Sequence, residues 1–234
     1  CGTELLYNGS LEYGNVAPLS TAFSAPGAAD KFPNSTLQAT DNARLYASQT
    51  ANAVPGWWMD PGAWVDSSAK ASDGSKLCYL NAAVTCLINP VRLVGTTVGT
   101  GASSSGPPLY LQPGRTYRIA FDWAAFDRAK PNGDAASSNG PKVDMMYFDA
   151  GWTNPTIPVS VTSGFIDRLT GAPAPATQTL QPWATLSWNK VFVTFTIPSS
   201  IPATVAYCNL RIPQINNTGM LLDNISIQEM CPDF

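Results

Sequence analysis

The chain has 234 residues, 44% of them hydrophobic but only 12% charged, with no histidine and a net charge of −3. That charged share is about half of what soluble domains carry, and with no basic run it excludes nucleic acid and anionic membranes as electrostatic partners. The lack of histidine excludes Ser–His and Cys–His nucleophilic mechanisms, and no stretch approaches the roughly 20 apolar residues needed for a membrane span.

Residues 5–12 alternate, with Leu5, Tyr7 and Leu11 on one side and Leu6, Asn8, Ser10 and Glu12 on the other, which predicts a strand with one core face. Residues 14–54 are rich in Ala, Ser, Pro, Asn and Thr and predict long loops with short strands such as 44–47. A turn-flanked aromatic run follows at 55–64. Short β-prone pieces surround Cys78 and Cys86 over 76–94, and the Gly/Ser/Thr stretch 95–108 is loop. A Pro113-Gly114 turn leads into a strand over 116–123, with Tyr117, Ile119, Phe121 and Trp123 inward and Arg118, Ala120 and Asp122 outward. Residues 126–141 read as a polar excursion and 142–149 as the next strand. The Pro/Thr-rich segment 151–182 holds short strands at 157–161 and 164–169. Residues 189–197 bury Val191, Val193, Phe195 and Ile197; residues 204–212 bury Ala206, Cys208, Leu210 and Ile212 and show Tyr207, Asn209 and Arg211.

The closing segment 219–230 puts Leu221, Ile225 and Ile227 on one side, and Asp223 falls among them. A carboxylate at a core edge must be paired, hydrogen-bonded or metal-bound, because burying it bare costs several kcal/mol or more. No segment has a helical period, and there is no repeat or linker. The expectation is one all-β domain over 1–234, an antiparallel β-sandwich with long Pro/Gly/Ser-rich loop insertions.

Five cysteines suit two bridges and one leftover thiol in an oxidising compartment. Cys78 and Cys86 can clip a local loop. Antiparallel pairing of the first and last strands would bring Cys1 to Cys231, and Cys208 reads as a buried thiol. A bond from Cys1 or Cys231 to a neighbouring chain is the alternative. A start at Cys1 rather than Met predicts an exported protein, extracellular or at the cell surface, with its leader removed before Cys1. Lipidation of Cys1 is the other reading of that residue. Sequons at Asn8, Asn34, Asn216 and Asn224 matter only in a glycosylating source.

Several motifs in order resemble carbohydrate-binding modules with a galactose-binding-like jelly roll: Asn8-Gly-Ser-Leu-Glu12, Pro55-Gly-Trp57, Leu111-Gln-Pro-Gly-Arg-Thr-Tyr117, the strand from Trp188, and Leu221-Leu-Asp-Asn-Ile-Ser-Ile227. The insertions at 14–54, 126–141 and 151–182 exceed the usual module. The resemblance implies a jelly roll with a structural Ca2+ held by Glu12 and Asp223, and Asn224 stands where the family often has a second Asp. Calcium takes six to eight oxygens, which two carboxylates, loop carbonyls and water can provide. Capping of backbone N–H groups by Asp223, or an Arg partner, is the competing reading.

For a glycan, the face opposite the core offers Arg118, Asp122, Asp144, Tyr207, Asn209 and Arg211, provided their strands share a sheet. An aromatic beside bidentate polar groups suits a sugar; a solvated face or subunit interface is the alternative. The loop aromatics Trp57, Trp58, Trp64, Trp152 and Trp183 stack on sugar rings or serve as core lids. The carboxylate pairs Asp122/Asp127 and Asp144/Asp149 are one arrangement for glycoside hydrolysis, but nothing marks them above the surface background, and 99–106 lacks the Lys of a phosphate loop. The chain does not read as an enzyme. Its low charge, terminal cysteines and long Pro/Gly loops point first to a self-associating subunit of a surface or filament assembly, with copies of itself as partners through sandwich edges. The alternative is a secreted glycan-binding module with polysaccharide as partner.

Overall fold

A computed structural model describes residues 2–12, 44–47, 54–60, 63–67, 69–80, 86–102, 106–153, 161–213 and 219–231. Cys1, most of the 14–54 segment, the 157–160 part of one expected strand, and the sequons at Asn34 and Asn216 lie outside them.

Among the described residues fifteen strands are formed, and the only helical turn is a 3-10 turn at Trp183–Thr185. Seven strands make one sheet in the order β1 (Arg44–Ala47), β3 (Ala63–Asp66), β4 (Lys76–Leu80), β15 (Met220–Glu229), β8 (Thr116–Ala125), β13 (Asn189–Thr196) and β11 (Val161–Asp167). In the second sheet, β10 (Asp144–Phe148) pairs with β14 (Tyr207–Pro213), and β14 pairs with β5 (Cys86–Leu93). The far edge of β5 takes β2 (Trp58–Asp60) and then, in parallel, β7 (Leu109–Leu111). The short β6 (Gly99–Thr100) docks on β14 through Gly99 N–H to Ala206 O at 2.8 Å. A separate ribbon joins β9 (Asn132–Asn139) to β12 (Thr177–Pro182). The architecture is an antiparallel β-sandwich, as the alternation predicts.

The sandwich interior follows from strand periodicity. Strand β13 alternates buried and half-buried residues without a break, so Val191, Val193 and Phe195 meet Ile119, Phe121 and Trp123 of β8 and Leu87, Cys208, Leu210 and Ile212 of the other sheet. A second, smaller core sits on the outer side of the seven-stranded sheet: Val65, Leu77, Tyr79, Ala124, Phe126, Trp183 and Leu221, flanked by Ala71, Leu186 and Trp188. The 183–188 segment roofs this end, so β4 and the start of β15 are buried on both faces.

The expected strand over 5–12 is not one. Glu4 bridges Gln228 and Leu5 N–H donates to Ile227 O at 2.9 Å, so the antiparallel approach to the last strand is real. Residues 7–10 then turn, with Asn8 and Leu11 at φ 57° and 64°. Tyr7 is therefore exposed, while Leu6 and Leu11 are buried. Gly9 permits this turn: its carbonyl accepts Ile225 N–H at 2.8 Å, and a Cβ there would sit 1.9 Å from Ile225 O.

The closing strand also departs from simple alternation. Its register on β8 shifts between Asp223 and Ser226, with Asn224 at φ 50°. This bulge re-aims the chain, so Leu222, not Leu221, shares the interior with Ile225 and Ile227. Asp223 is thereby placed on the outer face beside Leu221. The sequons at Asn8 and Asn224 lie in structure, with the Asn8 amide on Pro55 O and the Asn224 amide on Asp122.

Cys78, Cys86 and Cys208 are buried thiols. The expected Cys78–Cys86 clip is not made: Cys78 lies within β4, Cys86 opens β5 in the other sheet, and both stay thiols. Cys231 is half of a disulfide; Cys1, the partner expected for it, is outside the described residues.

Candidate functional site

Register places Asp223 of β15 directly opposite Asp122 of β8, and both are fully buried. The cover is the turn at 69–76 between β3 and β4. Asp223 Oδ2 accepts the N–H groups of Ser72 (2.7 Å) and Asp73 (3.0 Å), and its Oδ1 accepts that of Asn224 (2.7 Å). Burial pushes the Asp223 carboxyl up to about 7, against the downward pull of these bonds. The Ser72 hydroxyl has one proton to give and two acceptors, Asp122 Oδ2 at 2.8 Å and Asp223 Oδ2 at 3.0 Å. Asp122 is further met by Arg168 Nε at 3.1 Å and Lys190 Nζ at 3.8 Å.

Glu12 holds the other end of the same turn. Its Oε1 accepts Ser75 N–H and Lys76 N–H, both at 2.7 Å, and its Oε2 accepts the Ser75 hydroxyl at 3.0 Å. The turn closes down on Glu12 through Gly74 at φ 62°, where a Cβ would lie 2.4 Å from the Glu12 carboxyl carbon. Glu12 and Asp223 thus serve one element, each capping backbone N–H groups.

A calcium ion does not fit these two carboxylates as they stand. The groups that face them are N–H and O–H donors, whose polarity opposes a cation, and no cluster of three metal-ligating side chains occurs among the described residues. Chelation with EDTA is accordingly expected to leave the melting temperature unchanged. A melting temperature that rises with added calcium and falls on chelation would show that the turn rearranges around an ion.

The six residues expected to share a ligand face do not share a sheet. Arg118 and Asp122 lie on β8; Asp144 lies on β10, and Tyr207, Asn209 and Arg211 on β14. Arg118 lays its guanidinium over Phe192, 4.5 Å from the ring centre, and Asp122 is enclosed. Asn209 is buried, its Oδ1 taken by Ala102 N–H at 3.0 Å. The remaining three stay together on the outer face of the five-stranded sheet. Asp144 and Arg211 form a bidentate pair with both bonds at 2.7 Å.

Tyr207 leads to Trp152, one of the loop aromatics expected either to stack on sugar rings or to serve as core lids. Trp152 stacks on its ring, 4.8 Å between centres at 16°, and Phe148 leans on Trp152 at 5.6 Å. The tryptophan stands on a tight turn built by Asp149, whose Oδ1 accepts Gly151 N–H and Thr153 N–H, both at 2.9 Å. The Thr153 hydroxyl also bonds Asp149 Oδ2, and these bonds hold the Asp149 carboxyl below its ordinary range. With φ at 60° the turn lifts Trp152 outward, 54% exposed. Phe148 and Met146 follow Asp144 at period two on β10, a signal the sequence does contain. Of the other tryptophans, Trp57 and Trp183 are buried, Trp58 is half-buried, and the Trp64 side chain is outside the description.

No family model matches the chain, and no curated protein matches it. Solved structures do. One is the xylan-binding domain of carbohydrate-binding-module family 22, at 16% identity and a TM-score of 0.44, over 79% of this chain and 93% of that one. A two-module piece of Clostridium thermocellum endo-1,4-beta-D-xylanase 10B, complexed with xylohexaose, matches at 10% identity and a TM-score of 0.44, over 75% of this chain and 26% of that one. This chain thus spans about a quarter of that protein. An apo cyclase from Fischerella sp. matches at 11% identity and a TM-score of 0.47, over 99% of this chain and 98% of that one. At such identities the likeness concerns the fold alone.

Proposed function

We propose that the chain is a non-catalytic, extracellular glycan-binding module that takes a polysaccharide strand on the outer face of its five-stranded sheet. The observation that carries this reading is Trp152, a large flat ring held rigidly against Tyr207 and left more than half exposed. A pyranose ring offers an apolar C–H face to such a surface and hydroxyls to its edges, where Asp144 and Arg211 present acceptors and donors in fixed geometry. The carboxylates considered for hydrolysis have other employment: Asp122 is buried in its ionic cluster, Asp144 is paired, and Asp149 builds the turn. The self-associating subunit keeps only its compositional support.

The test is isothermal titration against soluble xylan, glucomannan and mixed-linkage glucan, with sedimentation of the same samples. Binding to at least one polysaccharide is expected, weakened at least fivefold by Trp152→Ala, since an aromatic stacking platform is worth about 1–3 kcal/mol. Oligomers with no sugar affinity, or a Trp152→Ala variant that binds as well as the parent, would overturn the reading.

A further inference from the structure

A second concavity has no part in the Trp152 face. It opens on elements of the other sheet and of the ribbon, between the 170–175 loop, β12 and residues 187–189, with a volume of about 540 Å³, within the usual range for a ligand site. Its lining mixes hydroxyl and amide groups, from Thr170, Thr177, Gln178, Gln181 and Asn189, with Asp167 as the one charge. Only proline and alanine supply apolar surface. An anion would meet Asp167, and a purely apolar ligand would leave the amides and hydroxyls unpaired.

The polar groups are pre-set. Gln181 Oε1 accepts the Ser187 N–H (2.7 Å) and hydroxyl (3.0 Å), and Gln181 Nε2 donates to Gln178 Oε1 at 2.7 Å. Gln178 Oε1 also accepts Ala125 N–H at 2.9 Å, which pins β12 across the end of β8. The Gln178 amide N–H groups remain unused by the described residues. Asp167 spends Oδ1 on the Thr170 N–H (2.7 Å) and hydroxyl (2.8 Å), which leaves Oδ2 open and keeps the carboxyl ionised below its ordinary range.

Asn189 stands at the strand end of the groove. It is 5% exposed, its backbone pairs with Asp167 and Trp123, and its side chain forms part of the lining. The indole N–H of its neighbour Trp123 is buried with no hydrogen-bond partner among the described residues. A ligand that presents both an acceptor and a donor can pair with both ends of such an amide. A vicinal diol does so: one hydroxyl accepts from an amide N–H while the next donates to an amide or carboxylate oxygen.

We infer that this groove is a second saccharide subsite, specific for a neutral sugar ring that presents adjacent hydroxyls to Asn189, Gln178 and Asp167. The inference takes its ligand class from the glycan-binding reading but no residue from the Trp152 face.

The test is an NMR titration of the full 15N-labelled chain with xylohexaose, cellohexaose and mannohexaose, following the Asn and Gln side-chain amides. Saturable shifts of the Asn189 and Gln178 amide pairs with at least one hexaose are expected, retained in Trp152→Ala and weakened at least fivefold in Asn189→Ala. If Asn189→Ala fails to fold, Asp167→Asn, which preserves shape and removes the charge, is expected to weaken the same shifts at least threefold. Shifts confined to residues 146–153 and 207–211 would overturn the subsite and leave the glycan-binding reading standing. No shift in either region with any hexaose would overturn both.

Discussion

Replacing Asp223 with alanine is expected to destabilise the chain by about 3 kcal/mol, or roughly 6–12 °C in melting temperature. The side chain gathers the backbone N–H groups of Ser72, Asp73 and Asn224 and is reached by the Ser72 hydroxyl, and each orphaned donor costs about 1 kcal/mol. The carboxyl also gives stability a pH dependence. The folded chain holds this proton up to about pH 7, whereas an ordinary aspartate releases it near 3.8. Unfolding between those limits releases a proton, so the group's contribution is complete below about pH 4 and declines as pH rises towards 7. Urea unfolding at pH 4, 5.5 and 7 should therefore show the parent losing stability relative to Asp223→Asn as pH rises. A difference that stays constant across the three values would mean that Asp223 is ionised throughout.

Trp183→Ala is expected to cost more, about 3–5 kcal/mol, the usual result of emptying a fully buried indole site. Trp183 is enclosed, 5.1 Å from the Phe126 ring, and belongs to the small outer core with Leu77, Tyr79 and Leu221. That core has few other members, so collapse around the cavity is limited. Trp183→Phe should recover part of the loss by refilling volume. The effect should also spread, because Lys70 of the 69–76 turn is tied to this roof through Lys70 Nζ to Ala184 O and Trp188 Nε1 to Lys70 O. Thermal melting and amide exchange at residues 70–76 would check both points; a loss under 1 kcal/mol with unchanged exchange would show the roof to be dispensable.

The sandwich was legible because its long strands keep strict period two: the alternation over 116–123 and 189–197 matches the buried faces of β8 and β13. Strand β9 was not, since Asn132–Asn139 carries no apolar rhythm and is a strand through its pairing with β12. The site was half legible. Glu12 and Asp223 were singled out by motif and misfit, yet what they hold, Ser72 to Lys76, is a polar turn with no signature. The face of Asp223 could not be read either, because a bulge flips parity and is fixed by neighbours rather than by local residues. Grouping Arg118 with Tyr207 failed for a related reason: alternation tells inside from outside but not which sheet a strand joins. Asn189 reads in sequence as a strand start, and only the surrounding loop makes its amide conspicuous.

The position of β15 has a consequence for how the molecule folds. In the seven-stranded sheet, β1, β3 and β4 lie on one side of it and β8, β13 and β11 on the other, and the two halves meet only through residues 220–229 among the described strands. The last strand in the sequence is the central joint. The sheet therefore cannot close progressively as the chain emerges. Its halves must wait, with β4 and β8 each showing an unpaired edge, until the final strand slots between them. Long-range closure of this kind is slow and leaves strand edges exposed in the interval, so refolding should be limited by insertion of β15 and sensitive to protein concentration until that step is complete.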